Sequence, residues 1–224
     1  MKKLLIYACL LIFSVTAIAG NGGDGKFRSY DLVKACQKRV DPNIIYDGRY
    51  YQMKYPMGDV PADRGVCTDA VIRVLRDVGF DLQKHVHMDI VQDIRDNASK
   101  IYHITKANSS IDHRRVWNLK KYFDGWAKAC ASFMRNHNGD CNRPCIIGVP
   151  VTGEDGKGYF KPGTIIIYEM WKGQGHIGIV IDSDKNLLYH QVGYGQVIDE
   201  SLRDWKIVGA YYIDKPSLEL FDHL

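Results

Sequence analysis

The segment Gly65–Asp69, which reads Gly-Val-Cys-Thr-Asp, and the apolar residues after it constrain the fold of this chain most strongly. From Cys67, apolar residues recur at the i, i+3, i+4 and i+7 spacing of an amphipathic helix, and Gly79 stands where such a helix is expected to end. At about 100° per residue, Cys67 falls in the middle of the apolar stripe, so its thiol belongs to the first turn of a core-facing helix. Unpaired N–H groups and the positive end of the helix dipole favour a thiolate there. The alternative interpretation is that Cys67 is a small buried hydrophobic residue.

The first 19 residues have the pattern of a cleaved secretion signal. Lys2 and Lys3 precede the apolar run Leu4–Ile18, and Ala17-Ile18-Ala19 is a small-x-small cleavage sequence. We therefore expect cleavage after Ala19, a periplasmic or secreted protein, and no stable membrane span after signal removal, with an uncleaved anchor as the alternative. The net charge is only +4, and no basic stripe alternates with aromatic residues, which argues against nucleic acid as a partner.

Export implies an oxidising compartment, in which cysteines tend to pair. After the signal the chain contains Cys36, Cys67, Cys130, Cys141 and Cys145, an odd number that leaves one thiol unpaired. If Cys67 is the free one, the other four are predicted to form two disulfides, one of them between Cys130 and Cys141 or Cys145. Zinc at Cys141 and Cys145 is the alternative, but no second cysteine pair matches it. We expect neither a metal nor an organic cofactor.

Helical patterns fill the first half of the chain, and short β-rich runs fill the second half. Helices are predicted from Ser29 to about Val40, from Cys67 to Gly79, and from Val116 onwards as one helix or as two joined at Gly125. Strands are predicted at 164–168, 176–181, 187–192 and 206–213. This order predicts an α+β domain in which helices pack on an antiparallel sheet. The domain is expected at 46–224, after a leader and helix at 20–45, with an insertion at about 125–160.

His85 and His87 are expected just before a short helix that begins near Ile90. At i and i+2 on a strand they would share a face and could bind a metal. The sequence offers no evident third and fourth ligand, so we interpret them as structural or pocket-lining residues.

Two histidines in the strand half complete a catalytic pattern with Cys67. His176 opens one predicted strand and His190 lies in the next, so their side chains can approach within about 5.5 Å on a shared face. A thiol, an imidazole that exchanges its proton, and a second polar group that orients this imidazole make a Cys-His-X triad. The predicted catalytic residues are therefore Cys67, His176 and His190.

Longer motifs carry a resemblance to a known family. They are Gly58-Asp59-Val60-Pro61, Gly65–Asp69, Asp81-Leu82-Gln83, Val86-His87, Ile111–Val116, Asn118-Leu119 and His176–Val180. Together, over about residues 46–213, they resemble the exported bacterial family called domain of unknown function 1287. Pro162–Tyr168 followed by Gly175–Val180 is similar, more distantly, to the strand pair of NlpC-type cysteine peptidases, which are papain-like enzymes of bacterial cell-wall turnover.

The resemblance implies a papain-like fold, with N-terminal helices packed on an antiparallel sheet or half-barrel. It also implies that Cys67 is the nucleophile, His176 the base and His190 the third polar residue. The chain departs from the family pattern at Thr164, where an acidic residue is usual, at Trp117, where proline is usual, and at Gln191, where asparagine is usual. These departures leave the triad intact and bear on substrate preference.

A dense charged cluster, Asp112-His113-Arg114-Arg115, lies just before the helix that starts at Val116. Because a planar Arg side chain binds a carboxylate through two parallel hydrogen bonds, we predict that the cluster lines a substrate groove. Asp69 and His87, which fall in the family motifs, are assigned to the same substrate site. The alternative is that Asp112 only caps the helix and its neighbours are solvated.

The expected function is that of a cysteine hydrolase, an amidase or endopeptidase that acts on peptidoglycan or its peptide fragments in the cell envelope. One alternative is a non-catalytic cell-wall-binding or scaffold protein, whose Cys67 would have ordinary reactivity. The other is an acyl-transfer or lipid-directed enzyme that uses the same triad on the same fold.

Overall fold

The computed structural model describes residues 29–97, 99–136, 145–149, 151 and 158–214. The predicted signal peptide at 1–19 lies outside these ranges, as do Cys141 and the side chain of Cys145.

Within the described ranges, four α-helices carry most of the first half of the chain. They are α1 (Ser29–Lys38), α2 (Cys67–Asp77), α3 (Leu82–Asn97) and α4 (Val116–Asn136). The apolar stripe of α2 is fully buried, and Gly79, just after its end, has a φ of +88°, which glycine adopts without steric strain. α4 passes Gly125 without a break, so the one-helix alternative is correct. None of the helices in these ranges has the length and apolar content needed to cross a membrane.

The described strands form two sheets. β1 (Ile45–Tyr46) pairs in parallel with β2 (Arg64–Gly65), directly before α2. The larger, antiparallel sheet contains β3 (Cys145–Gly148), β4 (Ile165–Glu169), β5 (Gly175–Asp182), β6 (Leu187–Gln191), β7 (Gln196–Asp199) and β8 (Lys206–Asp214). Its spatial order is β3-β8-β4-β5-β6-β7. β5, β6 and β7 are thus both consecutive along the chain and adjacent in the sheet.

The four helices contribute to a core on one face of the larger sheet. Ile165 and Ile167 on β4, and Ile177 and Ile179 on β5, project into this core, and α2 packs directly on β5. Because side chains alternate along a strand, Ile166, Tyr168, Val180 and Leu188 face the other way, where they pack with Phe160 and Leu202. The predicted α+β arrangement of helices on an antiparallel sheet is confirmed.

The structure differs from the sequence prediction at β3 and β7, in the last part of α4 and at the start of α3. Of the segment expected as an insertion, residues 125–136 belong to α4 and 145–148 form β3 at the edge of the sheet. β7 is a short additional strand. α3 starts at Leu82, so His85 and His87 lie on a helix, where positions i and i+2 do not share a face.

The predicted disulfide pattern is wrong for Cys36. This residue is a free thiol, fully buried on α1, and burial raises its pKa well above the usual value. Two disulfides among Cys36, Cys130, Cys141 and Cys145 therefore do not form, and Cys36 is a core residue. The predicted bond from Cys130 to Cys141 or Cys145 involves side chains outside the described part of the chain.

Candidate functional site

Cys67 is the first residue of α2, and only 4% of it is exposed. The thiol contacts the backbone N–H of Ile177 on β5 and the hydroxyl of Tyr46 on β1. Since Ile177 directly follows His176, the sulfur lies beside the backbone of the predicted base. Cys67 and the strand that carries His176 therefore meet where the start of α2 packs on β5.

A buried ion pair fixes the start of α2. Asp69 accepts hydrogen bonds from Nε and Nη2 of Arg114, both at 2.9 Å, and one from the backbone N–H of Val66 at 2.7 Å. The Arg114 guanidinium also donates to the carbonyls of Arg49 and Asp47. Its hydrogen bonds are thus directed at the protein itself, and the ion pair holds the turn that carries Cys67. Arg114 also lines the groove beside Cys67, and substrate contact by Asp69 and Arg114 stays a prediction.

The rest of the charged cluster is also mostly internal. Asp112 accepts a hydrogen bond from the backbone N–H of Asn108, and its own carbonyl accepts one from Asn118. His113 is buried, and burial, with the positive charge of Arg76 as a smaller cause, lowers its pKa to about 4. His87 packs edge-on against Tyr55, with ring centroids 5.0 Å apart. None of these three residues lines the groove beside Cys67, and their contact with substrate stays a prediction.

An open groove of about 500 Å³ leads to Cys67. Its wall includes the half-exposed rings of Tyr46 and Trp117 and the exposed side chain of Arg115. Gly175 forms part of the floor, where a Cβ atom would come within 2.8 Å of Val116. Arg115 is therefore the exposed member of the predicted cluster in this groove, whereas Arg114 lines it but is buried in its ion pair.

The two predicted histidines lie together on neighbouring strands. His176 Nε2 is 2.9 Å from His190 Nδ1, and His190 Nε2 is 3.0 Å from Oδ1 of Asp199 on β7. Trp205 packs against both rings, with centroids 5.1 Å from His176 and 5.8 Å from His190. The hydrogen bonds of the two rings run to each other and to Asp199 and Ser201, and none runs to the Cys67 thiol. Nδ1 of His176 takes part in none of these hydrogen bonds.

Burial keeps the thiol and the base neutral. It raises the pKa of Cys67 to about 11 and lowers the pKa of His176 to about 3. The helix start does favour a thiolate, but the loss of water around the sulfur outweighs that effect. The thiol expected from the sequence to have a lowered pKa is therefore protonated at neutral pH, and the imidazole of His176 is neutral.

Labelling of Cys67 by iodoacetamide is expected to rise only at pH values above about 8.5, the midpoint for an unperturbed thiol. The raised pKa means that the unreactive thiol form persists to higher pH. Peptide mass spectrometry over a pH series measures this at Cys67, and the urea-unfolded chain provides the reference. A labelling midpoint below about pH 7.5 in the folded protein would contradict this expectation and show that Cys67 is an activated thiolate.

Four residues of the site have no strong sequence signal. Asp199 ends a strand too short to predict, and Ser201 and Trp205 lie in the loop after it. Tyr46 lies in an aromatic stretch that is equally typical of a loop. Asp199 lies on the strand that pairs with the strand of His190, but only the sheet order reveals this pairing. Within the described ranges, no group of three or more His, Cys, Asp or Glu side chains is arranged to hold a metal ion.

Comparison with known proteins places the chain in a family. The model for Domain of unknown function (DUF1287) matches residues 33–213. Uncharacterized protein YijF of Escherichia coli (strain K12) is 33% identical over 184 residues, which covers 80% of this chain and 79% of that protein. No solved structure matches the chain. The match spans α2, α3 and α4, part of α1, nearly all of the larger sheet and every residue of the site, and the chain belongs to the DUF1287 family.

Proposed function

We propose that the protein is an exported cysteine hydrolase with a papain-like fold that cleaves peptide or amide bonds of peptidoglycan in the cell envelope. The observation that carries this proposal is the junction of α2 and β5. A buried cysteine at a helix start lies at the end of a groove, beside a strand whose histidine is hydrogen-bonded to a second histidine.

The geometry supports a balanced acyl-transfer cycle. As the Cys67 sulfur bonds to the substrate carbonyl carbon, its proton moves to Nδ1 of His176, and the same proton then goes to the leaving amine as the C–N bond breaks. Water, deprotonated by His176, hydrolyses the resulting thioester and regenerates the thiol. Both groups start neutral, so the proton transfer creates two opposite charges side by side and leaves the net charge unchanged.

The start of α2 also supplies a means of stabilising the tetrahedral intermediate. The backbone N–H of Cys67 belongs to the first turn, where N–H groups have no partner within the helix. Such a donor can bind the oxyanion that forms on the carbonyl oxygen. The Asp69–Arg114 ion pair fixes this turn and therefore the direction of the donor.

The groove supports peptide fragments of the cell wall as substrates. Stem peptides carry free carboxylates, which the exposed guanidinium of Arg115 is suited to bind. The rings of Tyr46 and Trp117 offer flat apolar surfaces in the same groove. The predicted export signal would bring the protein to the compartment that contains this substrate.

A second candidate is a non-catalytic protein that binds the cell wall through the same groove. The raised pKa of Cys67, about 11, favours it, because a buried protonated thiol has little intrinsic reactivity. In that case the groove would bind peptidoglycan, and no bond would be cleaved.

The two candidates are separated by incubating the purified mature protein with isolated peptidoglycan and analysing soluble and pelleted fractions. A hydrolase releases muropeptides whose masses show addition of water at one peptide or amide bond. Pelleting with peptidoglycan without any new product after prolonged incubation would overturn the hydrolase and support the binding protein. Absence of both binding and products would exclude peptidoglycan for either candidate.

Arg115→Ala is expected to raise KM for muropeptides by about tenfold and to leave kcat nearly unchanged. A tenfold change corresponds to the lower end of the free-energy range for a hydrogen bond to a charged group. We expect the lower end because the side chain is exposed to solvent before substrate binds. Steady-state kinetics on a purified muropeptide measures the effect, and Arg115→Lys, which keeps the charge but not the planar fork, should lie in between. A loss confined to kcat would contradict this binding role.

A further inference from the structure

Asp199, at the end of β7, has no role in the predicted triad. Its carboxylate is held at both oxygens: Oδ1 by His190 Nε2 at 3.0 Å and Oδ2 by the Tyr194 hydroxyl at 2.9 Å. The Ser201 hydroxyl also donates to Oδ1. Such a set of hydrogen-bond donors stabilises an ionised carboxylate and fixes its position.

We propose that Asp199 is a positioning residue that sets the tautomers of His190 and His176 and so leaves Nδ1 of His176 without a proton. The proposal rests on the proposed function, because that nitrogen is the base of the cysteine hydrolase. It adds a fourth residue to the cysteine and the two histidines, acting on the reaction through two imidazole rings.

Asp199 is negatively charged at neutral pH. Burial by itself raises the pKa of this carboxyl, but the hydrogen bonds from Ser201, His190 and Tyr194 outweigh it and leave the pKa below the usual value. At neutral pH the group is a carboxylate, which can only accept hydrogen bonds. The nitrogen that faces it, His190 Nε2, must therefore carry a proton.

His190 is fully buried, and its pKa is lowered, chiefly by burial. A neutral imidazole carries one proton, so with Nε2 protonated its Nδ1 is an acceptor. Ser201 fits the same assignment, because its hydroxyl hydrogen goes to Asp199 and its oxygen, 3.1 Å from Nε2, can share the His190 proton.

The tautomer of His190 determines the tautomer of His176. Its Nε2 lies 2.9 Å from the accepting Nδ1 of His190 and must be the donor. The ring is buried and neutral, so Nδ1 has a free electron pair. Without the carboxylate the two rings could adopt the reverse assignment, in which Nδ1 of His176 carries a hydrogen and cannot take a proton from Cys67.

Asp199→Asn tests the proposal, because the amide matches the carboxylate in shape but can donate to His190 Nε2. Nitrogen-15 NMR of histidine-labelled protein reads the tautomer of each ring without substrate. We expect Nε2–H on both rings in the wild type and a shift towards Nδ1–H in the variant. Alkylation of Cys67 by iodoacetamide at pH 7, where the thiol needs a base, should slow by about a hundredfold, the lower end for a positioned general base.

Two further variants serve as controls. Asp184→Asn removes an exposed carboxylate in the β5–β6 turn and should match the wild type in both measurements. Tyr194→Phe removes one hydrogen bond but keeps the carboxylate, so the tautomers should be retained and alkylation should slow by only about two- to tenfold.

Wild-type tautomers in Asp199→Asn, with alkylation within twofold of Asp184→Asn, would overturn the role of Asp199 while leaving a cysteine hydrolase intact. Wild-type rings that already carry Nδ1–H on His176 would overturn it as well. Conversely, the expected tautomers without any turnover of muropeptides would refute the hydrolase but not the tautomer assignment, so the two failures are distinguishable.

Discussion

Cys67→Ala is expected to lower muropeptide turnover by roughly 10⁴- to 10⁶-fold, the loss found when the nucleophile of a catalytic unit is removed. No other group in the groove can form the covalent intermediate, since Arg115, Tyr46 and Trp117 supply contacts and His176 requires a thiol to deprotonate. Release of soluble muropeptides over time measures the rate. The melting temperature of the same samples shows whether the variant is folded.

Cys36→Ala is the matched control, because Cys36 is also a buried thiol on a helix that packs on the sheet. It lies in the core and contacts no part of the groove, so turnover should remain within a few-fold of the wild type. Retention of a tenth of the activity in Cys67→Ala would contradict nucleophilic catalysis by this residue.

Arg114→Ala is expected to destabilise the protein by about 3–5 kcal/mol, the cost of removing one partner from a buried ion pair. The side chains of Asp69 and Arg114 are 3% and 2% exposed, so the remaining carboxylate would stay buried without its counter-ion. Two backbone carbonyls, of Asp47 and Arg49, would also lose their donor. Denaturant unfolding measures the free energy of unfolding.

The neighbouring Arg115→Ala is the control and should change the stability by no more than about 0.5 kcal/mol, because that side chain is exposed. The double variant Asp69→Ala, Arg114→Ala removes both charges, so its cost should be smaller than the sum of the two single costs by about 0.5–3 kcal/mol. Additive costs, or a loss below 1 kcal/mol in Arg114→Ala, would show that the pair does not hold the start of α2.

Local patterns predict the helix that carries Cys67 and the strand that carries His176. Both are continuous apolar segments with clear end signals, Gly79 for the helix and the glycines before His176 for the strand. Pattern cannot predict β3, whose four residues sit in a segment rich in Gly, Asn and Asp, or β7, which is equally short. Such strands are formed by pairing with a neighbour rather than by their own composition.

The charged cluster shows a different limit of sequence reasoning. Arg114 and Arg115 are identical in type and adjacent in sequence, yet one is buried in an ion pair with Asp69 and the other faces the groove. The difference arises because residues 112–114 form a 3-10 turn against α2, from which Arg115 points away. The sequence shows which segment carries a charge, but tertiary packing decides which group that charge pairs with.

The pKa of Cys67 cannot be inferred from the sequence for a similar reason. A helix start lowers the pKa of a thiol through local dipoles that can be inferred from the sequence. Burial under β5 acts in the opposite direction and depends on how the helix docks on the sheet. The larger of the two effects was therefore the one that only the folded structure contains.

The consecutive order of β5, β6 and β7 has a consequence for folding. The contacts from His176 to His190 and from His190 to Asp199 span only 14 and 9 residues, so two successive hairpins can assemble them early. The contact that fixes the cysteine-bearing helix, between Asp69 and Arg114, spans 45 residues, and the helix itself must dock on a strand more than a hundred residues further along the chain. Loop closure of this length comes late and at a higher entropic cost. We therefore expect the imidazole pair to form before the thiol arrives, so that a chain stalled during folding would carry the two paired histidines without Cys67 docked on the sheet.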